Sequence, residues 1–265
     1  MFLTALPERK TFAGAETELL IEGEGPPVLF LHAGHGFDTH DPLIARLAKT
    51  HRVIAPSLPG FGASPRPHDV TTVDDIAYRM LDLIEDLDLR NLTLVGVSFG
   101  GWVAAELATK GSDRIAKLVL IDPLGVKFGD REGRDIVDIY AHTAQEIPAM
   151  FFADEAKGLE LLHNLDFKDL PEETALRFAR NREALTLFGW APTLYNPKLK
   201  GRLHRIKVPT QVLWGAGDAI VPVEYGRQYA AAIPGARFEV IGGAGHYGYL
   251  EQPQAFGDKI EAFLG

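Results

Sequence analysis

Gly96-Val97-Ser98-Phe99-Gly100 sets a serine between two glycines, behind the apolar run Asn91–Val95 and ahead of the alanine-rich segment Trp102–Thr109. A serine on a strand-to-helix turn sits in strained backbone, so small residues two before and two after it are needed where helix and strand pass closely. Its hydroxyl then projects above the sheet, and the N-terminus of the following helix favours negative charge developing beside it. The chemistry this suits is nucleophilic attack by an oxygen. The chain contains no cysteine, which leaves serine as the candidate nucleophile, and of Ser57, Ser64, Ser98 and Ser112 only Ser98 has these surroundings.

A serine hydroxyl attacks poorly until a base takes its proton, and that base works best when a carboxylate orients it. Nine histidines compete for the role. His246 ends the flexible run Gly242-Gly243-Ala244-Gly245-His246, between the last expected strand and the last expected helix. Asp218 ends Trp214-Gly215-Ala216-Gly217-Asp218, just past the apolar run Thr210–Leu213. Both lie beyond the carboxyl end of a strand, where open α/β sheets place their ligands. Asp122, in Ile121-Asp122-Pro123, is a rival for the acid role.

Other constellations carry less. His32, His35 and His40 with Asp38 and Asp41 lack the spacing of established metal motifs, so no metal is expected. His32 is expected to hold its own loop by internal hydrogen bonds and His35 to line a pocket. The glycines at 60 and 62 lack the Lys-Ser/Thr ending of a phosphate loop. Arg180, Asn181 and Arg182 read as a solvated helix face rather than an anion site.

The elements that must hold these residues alternate in type. Pro27–Leu31, Arg52–Ala55, Asn91–Val95, Ala116–Ile121, Thr210–Leu213 and Arg237–Ile241 read as strands. Helical segments separate them: one capped by Asp41 with Pro42, one with a Thr72/Asp75 capping box and Ile76, Met80, Ile84 and Leu87 on one face, and a last one opened by Pro253. This alternation predicts a mostly parallel sheet covered by helices. Asp122–Pro209 breaks the rhythm with 88 residues. A crossover needs only a dozen or so residues, so something is inserted there. Its apolar positions, Ile136, Tyr140, Met150, Phe151, Phe152, Leu161, Leu165, Phe178, Leu187, Phe188 and Trp190, fall largely at helical spacing and predict a small helical subdomain.

The chain has 265 residues, 27 Lys+Arg against 36 Asp+Glu, and a formal charge of −9 at pH 7. The acidic balance argues against nonspecific nucleic-acid binding. The apolar start Met1–Leu6 is too short for a signal-peptide core, and no apolar run reaches the length of a membrane span. The cytoplasm is the expected location, with a small-molecule partner and no membrane. A homodimer is compatible with the sequence, which does not fix the oligomeric state.

The order of elements, the Gly-x-Ser-x-Gly turn and the chain order Ser98, Asp218, His246 resemble the capped members of the α/β-hydrolase family, over nearly the whole chain. The resemblance implies an α/β core of residues 1–122 and 210–265, with helices on both faces of a mostly parallel sheet, and a helical cap over 123–209. It implies an oxyanion hole built from the backbone N–H of Phe99 and of Gly34, in a loop that reads His32-Ala33-Gly34-His35-Gly36, with Ala33 where the family commonly has glycine. It implies no cofactor. The first expectation for activity is hydrolysis of carboxylic esters or related acyl compounds of small to medium apolar or aromatic substrates, with His35, Trp190 and Tyr247 as candidate substrate contacts. The alternative is carbon–carbon hydrolysis of a meta-cleavage-type vinylogous diketone. Relatives of that kind commonly carry asparagine beside the nucleophile and tryptophan after the histidine, where this chain has Val97 and Tyr247. Perhydrolase or lyase chemistry suits the same scaffold. A slow-turnover or non-catalytic ligand receptor is the alternative from outside the enzymes.

Overall fold

The structure, a computed structural model, describes residues 7–36, 38, 40–130, 132–143, 146–161, 170–190 and 192–265. Its frame is an eight-stranded sheet. The first two strands, β1 (Glu8–Phe12) and β2 (Ala15–Glu22), form a hairpin closed by Ala13-Gly14, both at positive φ (45° and 76°). A two-residue turn of that hand matches the twist of paired strands. β1 is almost wholly exposed and shows no apolar run, so nothing in the sequence marks it as a strand.

The remaining strands are β3 (Pro27–Leu31), β4 (Arg52–Pro56), β5 (Leu92–Val97), β6 (Ile115–Ile121), β7 (Thr210–Gly215) and β8 (Arg237–Ile241), all parallel to their neighbours from β4 to β8. They coincide with the expected strands to within two residues. The spatial order is β1-β2-β4-β3-β5-β6-β7-β8. Between β3 and β5 the order reverses direction, which opens a crevice at the carboxyl ends of these strands. Leu29, Phe30, Leu94, Val95, Val119 and Leu120 are fully buried, as expected of strands covered on both faces.

The helices before the long insert are α1 (Pro42–Leu47), α2 (Val73–Asp86) and α3 (Phe99–Thr109). Asp41 caps α1 by accepting the N–H groups of Leu43 (2.8 Å) and Ile44 (3.1 Å). In α2 the capping box is complete: Thr72 Oγ1 accepts from Asp75 N, and Asp75 accepts from Thr72 N. Replacing a capping threonine by alanine costs about 1 kcal/mol. Thr72→Ala should therefore lower the urea midpoint by that loss divided by the slope, with the slope itself unchanged.

Between β6 and β7 lie α4 (Ile147–Phe151), α5 (Glu155–Leu161) and the long α6 (Glu172–Gly189). After β7 come α7 (Val223–Ala231), α8 (Gly248–Glu251) and α9 (Pro253–Leu264). Within the insert Ile136, Phe151, Phe152 and Phe188 are buried, whereas Leu187 and Trp190 are 52% and 60% exposed. Leu165 and the Leu161 side chain lie outside the described residues. Among the described residues no helix is long and apolar enough to cross a membrane.

One stripe of α6 faces the sheet's loops. Arg177 donates to both oxygens of Glu18 on β2 (2.8 and 2.6 Å), and Ser57 Oγ donates to the same carboxylate at 2.5 Å. Burial pushes the Glu18 carboxyl up, but Arg177, Ser57 and the Ala63 N–H outweigh it and hold the group at about 2. A carboxyl lowered in the folded state contributes stability above its unfolded pKa and loses it as pH falls through the folded value. Stability should thus decline between the ordinary 4.5 and about 2. Urea midpoints for Glu18→Gln should start lower at neutral pH and fall less steeply across that window. A variant curve parallel to wild type would assign the acid sensitivity elsewhere.

Candidate active site

The turn from β5 to α3 requires its glycines. Ser98 has φ 51°, in the left-handed region that costs a non-glycine residue energy. A Cβ on Gly100 would stand 2.1 Å from the Leu31 carbonyl oxygen, and one on Gly96 would stand 2.5 Å from that of Gly100. No side chain fits either place. The Ser98 N–H donates to Ile121 O at 2.8 Å, which ties the strained residue to β6.

Ser98 Oγ lies 2.7 Å from His246 Nε2, and His246 Nδ1 lies 2.8 Å from Asp218 Oδ2. All three side chains are buried. Asp218 is fixed by accepting the N–H groups of Ile220 and Val221 on Oδ1, each at 2.8 Å. With a carboxylate as its partner, Nδ1 carries the imidazole proton, and Nε2 is left as the acceptor facing the serine hydroxyl. The loop of His246 is held from behind: Glu251 accepts from Gly245 N (2.6 Å) and Asp154 N (2.9 Å), and Tyr247 N donates to Phe151 O. Glu251 belongs to no sequence motif, and Phe151 is marked in the sequence only as an apolar position of the insert.

Asp122, the rival acid, has no contact of this kind with His246. Its Oδ1 accepts the Gly215 N–H at 2.8 Å, and its carboxyl faces Asp218 rather than the histidine.

The loop after β3 brings Gly34 to the edge of the cavity that contains Ser98. Phe99 is the first residue of α3, so its N–H is among those a helix leaves without an internal partner. His32 stabilises the loop as expected: Nδ1 donates to Ala33 O at 2.7 Å, and Nε2 accepts the Leu58 N–H at 3.0 Å. Burial lowers its pKa to about 4, which keeps it neutral for both bonds. His35 packs edge-on against Tyr247 with ring centroids 4.7 Å apart, and burial lowers it likewise to about 4. Asp41 is occupied as a helix cap, and His40 pairs with Asp38 at 3.0 Å.

Phe151 of α4 and Leu185 of α6 reach the cavity beside Ser98. Asn181 is buried, contrary to the solvated face expected from its arginine neighbours, and joins the two loops below it by donating to His35 O (2.5 Å) and accepting from Gly62 N (2.7 Å). Its signal in the sequence is its place four residues after Arg177 and four before Leu185, on one face of a helix. Arg182 lies over the Tyr140 ring.

The cavity beside Ser98 is lined by Gly34, Leu124, Phe151, Leu185, His246 and Tyr247, among others, and holds only about 10 Å³. That is below the roughly 300–1,000 Å³ of common ligand sites. Tyr247 is therefore at the cavity, and His35 stands behind it. Trp190 lines a separate surface cleft with Lys127 and Tyr195, and its ring packs against Tyr140.

The sequence pattern of the "Alpha/beta hydrolase family" matches residues 28–259. The chain belongs to the alpha/beta hydrolase family. It is similar to an uncharacterized protein of Mycobacterium tuberculosis (strain ATCC 25618 / H37Rv), 29% identical, covering 96% of this chain and 80% of that protein. It is also similar to the 2-hydroxymuconate semialdehyde hydrolase of Pseudomonas sp. (strain CF600), 29% identical, covering 95% of this chain and 91% of that one. Among solved structures, the 2-hydroxy-6-oxo-6-phenylhexa-2,4-dienoate hydrolase of Rhodococcus sp. strain RHA1 superposes with a TM-score of 0.80 over 99% of both chains, at 23% identity.

Proposed function

We propose that this chain is a serine-nucleophile hydrolase that cleaves a carbon–carbon bond next to a ketone in a small meta-cleavage-type vinylogous diketone. The observation that carries the reading is the buried Ser98–His246–Asp218 chain of hydrogen bonds, in a protein alike over most of its length to a hydrolase of that class. In this reading Ser98 Oγ attacks the ketone carbon as His246 Nε2 takes its proton. The N–H groups of Phe99 and Gly34 receive the oxyanion, and losing one such donor costs roughly 3–4 kcal/mol in the barrier. When the tetrahedral centre collapses, the carbon–carbon bond breaks and its electron pair goes to the departing fragment. A carbon leaving group is tolerable because the conjugated keto system delocalises that pair, and the proton on His246 completes the fragment. Water, deprotonated by His246, then releases the acyl group from Ser98 as a carboxylic acid. Residues 123–209 serve as a cap that excludes bulk water, and a cavity this small requires α6 to yield before a substrate enters.

Hydrolysis of carboxylic esters, the first expectation from the sequence, is kept as the second reading. It is favoured by Val97 and Tyr247 at the places where relatives acting on diketones commonly carry asparagine and tryptophan, and by an almost wholly apolar lining. An ester supplies its own leaving alkoxide and needs no such groups. Parallel kinetics with a meta-cleavage diketone and with p-nitrophenyl esters of increasing chain length decide between the two. A larger kcat/KM for the diketone is the expected result. Faster turnover of the esters would transfer the assignment to the second reading.

A further inference from the structure

Asp122 sits where a second carboxyl is costly. It is fully buried at the end of β6, with φ 43°, and its place is fixed from three sides. Its N–H donates to Leu213 O at 3.0 Å, its Oδ1 accepts the Gly215 N–H at 2.8 Å, and two residues on, the Leu124 N–H donates to Ser98 O at 3.1 Å. Strand register puts it beside Ser98, since Val97 pairs with Ile121, and beside the loop of Asp218, since Ile121 pairs with Leu213. Its second oxygen, Oδ2, is buried and receives no hydrogen bond among the described residues.

A buried carboxylate with one donor and another carboxylate against it is untenable as an anion, whereas a carboxylic acid in the same place has a proton to give. The two groups are not equivalent. Asp218 already receives three donors, Ile220 N–H, Val221 N–H and His246 Nδ1, so the charge is best kept there. We propose that Asp122 is a neutral carboxylic acid that donates its proton to Asp218, as a positioning residue that extends the chain Ser98–His246–Asp218 by one member. The titratable group facing it is Asp218, with His246 beyond that. Burial first, and then the adjacent Asp218 charge, hold the Asp122 carboxyl well above the usual carboxylate range.

This extends the catalytic reading of the triad, and it makes one prediction that does not depend on that reading. A proton held on Asp122 gives an infrared band of a protonated carboxyl at neutral pH. In the difference spectrum of wild type minus Asp122→Asn that band should appear, while other protonated carboxyls such as Asp41, raised to about 7, cancel. Absence of the band overturns the proposal whatever the substrate proves to be. The second readout is kinetic. Without the donor, the Asp218 charge is freer to stabilise the His246 imidazolium, so the acid limb of the kcat/KM profile should move up by about a unit in Asp122→Leu, with kcat lowered about 10- to 100-fold. Asparagine restores an N–H donor and should recover most of the rate and return the limb towards wild type. An unmoved limb in Asp122→Leu, or a collapse in Asp122→Asn as deep as that of Asp218→Asn, would also overturn the proposal. Should Asp122→Leu not fold, the spectrum and the asparagine variant decide the question alone.

Discussion

Ser98→Ala should lower kcat by about a millionfold, to a residue of activity set by binding and the oxyanion donors alone. The size of the effect follows from the turn itself. The strained φ of Ser98 and the two glycine contacts that permit it aim one hydroxyl at one imidazole, 2.7 Å away. No neighbour replaces it. Ser57 and Ser64 are the other buried serines, and both are engaged with β2: Ser57 donates to Glu18, and Ser64 Oγ accepts from Glu18 N. Because alanine removes only an oxygen, thermal unfolding should be nearly unchanged and KM should stay within a few-fold. A loss of stability that paralleled the loss of rate would identify Ser98 as a structural hydroxyl instead.

Asp218→Asn should reduce kcat about ten-thousandfold, by forcing the wrong tautomer of His246. The Ile220 and Val221 N–H groups fix which end of the side chain faces them, because both need an acceptor. The asparagine oxygen must take that place, which turns its NH2 towards His246 Nδ1. The ring then carries its proton on Nε2, facing Ser98, and cannot accept another. The expected signature is a fall in kcat with substrate affinity little changed. A rate within tenfold of wild type would mean that the acid role belongs to another carboxylate, with Asp122 the next to test.

Much of this was legible in the chain because the relevant constraints are local. The strands β3 to β8 announce themselves as short apolar runs broken by glycine and proline, and Asp41-Pro42, Thr72/Asp75 and Pro253 mark helix starts through backbone groups within four residues. Ser98 stands out because its glycines answer a steric demand between adjacent elements. His246 and Asp218 are found by lying past strand ends, which the alternation of elements locates. What escaped depends on contacts distant in sequence. Glu18 meets Arg177 across 159 residues, and Asn181 meets His35 across 146. No spacing rule links such pairs, so Asn181 reads as solvated from its arginine neighbours and proves to be buried. Trp190 shows the opposite, a large aromatic that remains mostly exposed beside Tyr140. Within the insert, helical spacing shows that apolar residues share faces, yet which face meets the sheet depends on how α6 lies over loops from elsewhere in the chain.

The triad serves carbon–carbon and ester cleavage alike. The pocket contributes a different constraint. Its walls of Leu124, Leu185, Phe151 and Tyr247 offer few polar partners, so a substrate carrying a charged group must present it outside the closed cavity. Discrimination between substrates by such walls is worth only about 1–3 kcal/mol per methylene. Homologous series should therefore grade smoothly with chain length.

Whether Ser98 is the nucleophile is read out by intact-mass measurement after exposure to a fluorophosphonate. One phosphonyl adduct is expected per wild-type chain and none on Ser98→Ala. An unmodified wild type, or an adduct that persists in Ser98→Ala, would contradict that role.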